Sequence, residues 1–89
     1  MDKNELKASV YAILGTLVEV GGSSPASHLY LCVGGDMQNW ELVRGVLLNA
    51  GLVTIAPSHL VSLTARGQEL GEAINKAMAD VVAERSAAV

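Results

Sequence analysis

Glycine divides this chain into short segments, and that division constrains its fold more than any other feature. Glycines stand at Gly21-Gly22, Gly34-Gly35 and Gly51, each at the end of a segment rich in apolar residues. Glycine has little helix preference and readily adopts the left-handed conformation in which many helices end. The chain is therefore predicted to fold as a series of helices separated by tight turns.

Three helices are predicted in the first 50 residues of the chain. In the first segment, apolar residues recur at helical spacing and form one face. In the second, Ser24 suits the N-cap position and Pro25 suits the first helical position. Asp36 is the expected N-cap of the third helix, where its carboxylate also favours the positive end of the helix dipole. The predicted ranges are 3–20, 24–33 and 36–50.

The rest of the chain combines two strands with a long helix. Two short β-prone runs joined by a polar link predict an antiparallel hairpin over 53–63. Thr64 is the expected cap of a last helix over 65–85. The predicted fold class is α+β, mainly helical, with one domain over 1–89.

The composition is that of a small folded domain. Hydrophobic residues make up 51% of the 89 residues and charged residues 17%, which excludes intrinsic disorder. The N-terminus is too charged for a signal peptide, and no apolar run is long enough to cross a membrane. A single cysteine, Cys32, fits a reducing compartment and is expected to be a small buried hydrophobe. These features predict a soluble, cytoplasmic protein without a membrane partner.

Two segments carry a resemblance to a known family. Residues 47–53 read LLNAGLV, and after the predicted hairpin residues 63–70 read LTARGQEL. This order resembles the winged helix-turn-helix domain of small transcriptional regulators of the MarR and PadR types. There the recognition helix similarly ends in Gly-Leu-Val, the wing follows, and a Leu-Thr-x-x-Gly-x-x-Leu segment opens the next helix. The resemblance covers essentially the whole chain.

The resemblance implies that the protein binds double-stranded DNA and has no catalytic role, cofactor or metal. It makes 24–33 the first helix of the helix-turn-helix, the third helix the recognition helix and the hairpin the wing. Early exposed residues of a recognition helix reach base edges in the major groove, and Gln, Asn and Arg can pair with bases there. The residues implied to contact DNA are Gln38, Asn39, Glu41 and Arg44 in the third helix, and Ser58 and His59 at the wing tip.

Two features of this region favour a different partner, another protein. Between Ser24 and Ser62 the sequence has only one basic residue, Arg44, beside two acidic ones, whereas phosphate neutralisation by cations supplies most non-specific DNA affinity. In addition, Leu42, Val46 and Leu48 fall partly outside the predicted core face of the third helix. An exposed apolar helix surface more often contacts protein. A protein-interaction module is therefore the alternative function.

Several other residues could have either a functional or a purely structural role. His28 and Cys32 are four residues apart on a helix, which suits two metal ligands or a catalytic pair, but no third group accompanies them. Gly34-Gly35-Asp36 lacks the spacing of a phosphate-binding loop and suits a turn. Trp40 is expected to anchor the third helix in the core, the alternative being a ligand-lining aromatic residue.

The first and last helices predict a homodimer. The last helix carries an apolar seam, and Ala73 and Ala77 permit close approach of another helix. A helix of about 20 residues is about 30 Å long, which is more than a core of this size covers. The apolar stripes of both helices could cover the intramolecular core alone, but a two-fold dimer through helices 1 and 4 is favoured. The seam consists of Leu70, Ile74, Ala77, Met78, Val81 and Val82.

Overall fold

A computed structural model describes the backbone of residues 1–87 and the side chains of residues 1–81. Within this range the chain forms four helices and a small antiparallel sheet of three strands. The α+β, mainly helical fold class is therefore confirmed. In chain order the elements are α1 (Lys3–Glu19), β1 (Ser23–Pro25), α2 (Ala26–Cys32), α3 (Met37–Asn49), β2 (Val53–Ile55), β3 (Leu60–Leu63) and α4 (Ala65–Ala87).

The strand β1 was not predicted, and the expected role of Ser24 as an N-cap is wrong. Ser24 is buried and pairs with Val61 in the centre of β1, and α2 begins only at Ala26. The physical reason is Pro25, because a residue before proline is disfavoured in the helical region and becomes extended. Pro25 is itself the N-cap, and it provides no side-chain hydrogen bond to the helix.

The sheet has the order β1-β3-β2, so that β3 is its central strand. Ser62 of β3 lies between Ser23 on one side and Thr54 on the other. Backbone hydrogen bonds from Leu63 to Gly22 (2.8 Å) and from Ala26 to His59 (2.9 Å) continue the ladder beyond both ends of β1. The hairpin is thereby joined to the segment that enters α2.

The glycines end the helices as predicted. Gly21 and Gly22 follow α1 with φ of 93° and 100°, and the Gly22 amide donates to the carbonyl of Leu17 at 2.7 Å. Gly51 has a φ of 69° just after α3. Since L-residues with side chains rarely adopt these angles, each position suits glycine.

The core is aliphatic and lies between α1, α3 and the sheet. Leu14 and Leu17 of α1, Val43 and Leu47 of α3, and Leu29 of α2 have no exposed surface at all. Trp40 is 5% exposed and belongs to the same cluster, so that its predicted role as a core anchor is confirmed.

The short helix α2 contributes only one fully buried residue, Leu29. The prediction that Cys32 is buried is wrong, because its thiol is exposed. A helix of two turns in contact with the core on one side has room for a single buried stripe. Leu31, on the opposite side, is 69% exposed.

The helices α1 and α4 pack closely at two glycines. A Cβ atom on Gly71 would lie 2.5 Å from a methyl group of Val18 and 3.0 Å from the carbonyl oxygen of Leu14. Across the same contact, the amide of Asn75 donates to the carbonyl of Gly15 at 3.2 Å. Close approach within the chain therefore occurs at glycine, whereas Ala73 and Ala77, the small residues singled out in the sequence, are exposed.

The junction between the hairpin and α4 is built by Thr64 and Gly67. The Thr64 hydroxyl donates to the carbonyl of Gly51 at 2.7 Å and accepts from the amide of Gly67 at 3.1 Å, which makes Thr64 the cap of α4, as predicted. The Thr64 amide donates to the carbonyl of Leu52 at 3.0 Å. A Cβ atom on Gly67 would lie 2.0 Å from that same carbonyl oxygen, so only glycine fits.

Candidate nucleic-acid interface

The turn between α2 and α3 is held by short-range hydrogen bonds. Gly34 and Gly35 both have positive φ, and the Gly35 amide donates to the carbonyl of Tyr30 at 3.1 Å. The Tyr30 hydroxyl in turn donates to the carbonyl of Gly35. These contacts fix the direction in which α3 leaves α2.

The N-terminus of α3 is capped as the sequence predicts. One carboxylate oxygen of Asp36 accepts from the amides of Gln38 (2.9 Å) and Asn39 (3.2 Å). A carboxylate at this end also compensates the positive end of the helix dipole. A phosphate group has no free place there, because Asp36 already occupies it.

The orientation of α3 follows from its buried stripe. Trp40, Val43 and Leu47 face the core. Because each residue turns the helix by about 100°, these three positions identify the residues that lie on the opposite side. Gly45 lies at the centre of that side. We call this side the outward face of α3, and it consists of Gln38, Glu41, Leu42, Gly45, Leu48 and Asn49.

The structure separates the four residues of α3 that were predicted to contact bases. Gln38 and Glu41 are exposed and lie on the outward face. Arg44 is exposed but lies on the flank of the helix, about a quarter of a turn from the buried stripe. Asn39 lies on the other flank and is half-buried. Only two of the four side chains therefore share the outward face.

The apolar residues expected outside the core face of α3 are indeed exposed. Leu42 is 49% exposed, Leu48 43% and Val46 36%. Met37, in the first turn, is 56% exposed. The surface of α3 therefore exposes apolar side chains as well as the amides of Gln38 and Asn49.

Gly45 was not singled out in the sequence. Among the described residues, no atom would lie within 4 Å of a Cβ atom at this position, and the backbone of Gly45 is not in the left-handed region. Within a helix, glycine is less favourable than alanine by about 1 kcal/mol. Packing among the described residues therefore does not require glycine at Gly45.

The hairpin turn is compact and tied to α2. His59 donates its amide to the carbonyl of Ala56 at 2.8 Å and has a φ of 65°. Its own carbonyl accepts from the amide of Ala26, the first residue of α2. Ser58 and His59 are exposed, as expected for a tip, and the turn lies beside the start of α2.

The charge of this part of the chain is low. The segment from Ser24 to Ser62 contains Asp36, Glu41 and Arg44 as its only charged residues, a formal charge of −1 with neutral histidine. The Asp36 carboxylate is engaged at the helix cap. Arg44 is therefore the one cation that α2, α3 and the hairpin offer to a phosphate.

A second feature of the surface lies along α1 and α4. A groove of about 510 Å³ runs between the two helices, and none of the described residues that line it is charged. A second groove, of about 370 Å³, is bounded by α1, α3 and the start of α4, and its lining includes Lys3 and Lys7. Tyr11 borders both grooves and is 38% exposed. On α4, Leu70, Met78 and Val81 are 37%, 61% and 46% exposed.

Only part of the predicted seam of α4 thus contacts the core. Ile74 is half-buried and packs against the core cluster, whereas Leu70, Met78 and Val81 are exposed. Ala77 is exposed as well. Val82 also belongs to the predicted seam, but its side chain lies outside the described residues.

His28 and Cys32 are both exposed on α2. Among the residues whose side chains are described, no three His, Cys, Asp or Glu residues come together in a group that could hold a metal ion. The two side chains therefore have no partner of that kind in the described part of the chain.

No protein-family model and no curated protein matches the sequence. Within residues 1–87, no helix combines the length and the apolar character needed to cross a membrane. The function of the chain is therefore inferred from its residues and their geometry.

Proposed function

We propose that this protein is a winged-helix DNA-binding protein, a small transcriptional regulator that acts as a two-fold dimer. The order of α2, a tight turn, α3 and a hairpin agrees with the winged helix-turn-helix that the sequence resembles. In this arrangement α3 is the recognition helix and the loop between β2 and β3 is the wing.

The observation that carries the proposal is the way α3 is held. Its core stripe fixes one side, the Asp36 cap and the glycine turn fix its start, and Gly51 fixes its end. The opposite side stays free and begins with the exposed amide of Gln38. A rigid helix with a free outward face is what insertion into the major groove requires.

Arg44 is proposed to contact phosphate rather than a base. It lies on the flank of α3. When the outward face contacts the base edges in the major groove, the Arg44 guanidinium therefore lies beside the phosphate backbone that borders the groove. Around half or more of protein–DNA hydrogen bonds go to phosphate and sugar, and hydroxyl and amide groups provide many of them. Ser58 and His59 at the wing tip are proposed as such neutral contacts.

The dimer is proposed to form through α1 and α4. Dimeric helix-turn-helix proteins read two half-sites about one helical turn apart, which doubles the number of contacts that a weakly charged domain makes. None of the described residues that line the groove between α1 and α4 is charged. A second copy of the same helices offers matching apolar side chains in Tyr11, Met78 and Val81.

A pair of charge reversals tests DNA binding by α3. Arg44→Glu is expected to weaken binding to duplex DNA at least about tenfold, because a phosphate contact becomes a repulsion. Lys76→Glu makes the same change of net charge on an exposed site of α4 and is the matched control. Fluorescence anisotropy at low salt measures both. Equal losses in the two variants would refute the role of α3.

A protein-interaction module is the second candidate function, and the exposed leucines of α3 favour it. Leu42 and Leu48 are both more than two-fifths exposed, and such surfaces typically bind protein. This hypothesis predicts that Leu42→Asp abolishes association with a partner protein while circular dichroism shows an unchanged fold. Retention of the partner by Leu42→Asp would eliminate the hypothesis.

A further inference from the structure

The outward face of α3 has an uneven chemistry. It offers the amides of Gln38 and Asn49 and the apolar side chains of Leu42 and Leu48, but no cation. Arg44, the one basic residue of α3, lies on the flank. The outward face can therefore contact base edges in the major groove with amide groups, with apolar side chains and with the carboxylate of Glu41.

Base pairs differ in which of these groups they accept in the major groove. Adenine pairs bidentately with Gln or Asn through N6 and N7, thymine offers a methyl group to apolar side chains, and guanine is read mostly by Arg or Lys. Building on the proposed DNA-binding function, we propose that α3 selects A·T-rich major grooves. Gln38 reads adenine, and Leu42 contacts a thymine methyl group.

Gly45 supplies the close approach that these contacts need. It lies at the centre of the outward face, and no atom of the described residues would lie within 4 Å of a Cβ atom there. Without a side chain at this point, the helix backbone comes nearer to the base edges. The neighbouring Leu42 side chain can then touch a methyl group instead of being held above it.

Glu41 weakens the preference of α3 for sites that consist only of A·T pairs. Its carboxylate accepts hydrogen bonds and suits the amino group of cytosine. One cytosine position within a recognised half-site is compatible with the outward face. The preferred sites are therefore A·T-rich rather than composed only of A·T pairs.

Two matched duplexes test the selection. Both are about 30 base pairs long, one of mixed A·T pairs and one of mixed G·C pairs, titrated at about 50 mM salt with the full chain. We expect the A·T duplex to bind about tenfold more tightly or better. Equal affinity would overturn the selection and leave the proposed DNA-binding function intact. Binding to neither duplex would overturn the proposed function itself.

Uracil substitution tests the contact of Leu42. Uracil keeps the hydrogen-bonding groups of thymine and lacks only the methyl group in the major groove. We expect the all-uracil version of the A·T duplex to bind about fourfold more weakly for each methyl group contacted. Unchanged affinity would overturn the methyl contact even if the A·T preference is found.

Two leucine variants test whether Leu42 causes the difference in affinity between the thymine and uracil duplexes. In Leu42→Ala, the difference between thymine and uracil duplexes is expected to shrink to less than about twofold. Leu31→Ala removes a comparable exposed leucine from α2 and should keep the full difference. Both positions are exposed, so both variants should fold, which circular dichroism checks. A full thymine–uracil difference in Leu42→Ala would show that another residue makes the contact.

Discussion

At the residue scale, Gly67 is the glycine at which an added Cβ atom would make the shortest contact. Its missing side chain lets the carbonyl of Leu52 approach the first turn of α4. Thr64 binds that same carbonyl through its amide. The Leu-Thr-x-x-Gly segment is thus a structural corner that joins the hairpin to α4.

Alanine at Gly67 is therefore expected to destabilise the protein. In Gly67→Ala, a Cβ atom about 2 Å from a carbonyl oxygen forces α4 away from the end of α3. The free energy of unfolding should fall by about 2 to 3 kcal/mol. Urea denaturation followed by circular dichroism measures this change.

Gly45→Ala provides the control for that substitution. Gly45 is in the helical region with open space around it, so alanine there should raise the free energy of unfolding by about 1 kcal/mol. Opposite signs for the two glycines are expected. A similar loss of stability in both would contradict the close contact assigned to Gly67.

The structural role of an individual residue was predictable from the sequence only where it depends on contacts with its neighbours in the chain. Asp36 and Thr64 cap helices through bonds to amides within three residues, and such contacts depend on little else. Ser24 was wrongly predicted as an N-cap, because Pro25 makes the residue before it extended. Whether Ser24 and Cys32 are buried depends on β3 and on the angle at which α2 meets the core. That information lies in distant parts of the chain.

At the element scale, the stability of α4 depends on its first turn. The Thr64 hydroxyl both caps the helix and bonds to the carbonyl of Gly51. Thr64→Ala is expected to lower the free energy of unfolding by about 1 to 2 kcal/mol, because the amide of Gly67 loses its partner. Thermal denaturation compares it with Thr64→Ser, which keeps the hydroxyl and should lose little. An equal loss in Thr64→Ser would contradict the capping role.

The helices and the hairpin were largely predictable, whereas β1 was not. Glycine and apolar spacing mark helix ends within about two residues, as α1 and α3 illustrate. The strand Ser23–Pro25 has three residues and no apolar pattern, so it exists because β3 offers it a partner. Pro25 was assigned to the helix, although it also forces the residue before it into an extended conformation.

At the scale of the whole molecule, we expect a homodimer that forms through α1 and α4. Met78 is 61% exposed on α4, so replacing it does not disturb the core. Met78→Asp is expected to give a monomer, because two-fold packing would bury a carboxylate in an apolar seam. Light scattering after size exclusion measures the mass. Lys76→Asp, on the opposite side of α4, should remain dimeric, and an unchanged mass in Met78→Asp would refute the seam.

The exposed side of α3 was predictable from the sequence, whereas the surroundings of the hairpin turn were not. The sequence correctly placed Leu42, Val46 and Leu48 outside the core face, since the period of a helix fixes which residues lie opposite a buried stripe. The separation of Arg44 from Gln38 also follows from that period. The link between His59 and the start of α2 does not, because it depends on the sheet that joins them.

The salt dependence of duplex binding tests the central claim most directly. A dimer presents two Arg44 side chains, and each phosphate contact contributes a slope of about −0.9 to log K against log salt. The affinity of the protein for an A·T-rich duplex should thus fall about tenfold between about 50 and 200 mM salt. In Arg44→Glu that dependence should disappear. Absence of binding at 50 mM, or binding that salt leaves unchanged, would contradict DNA recognition by α3.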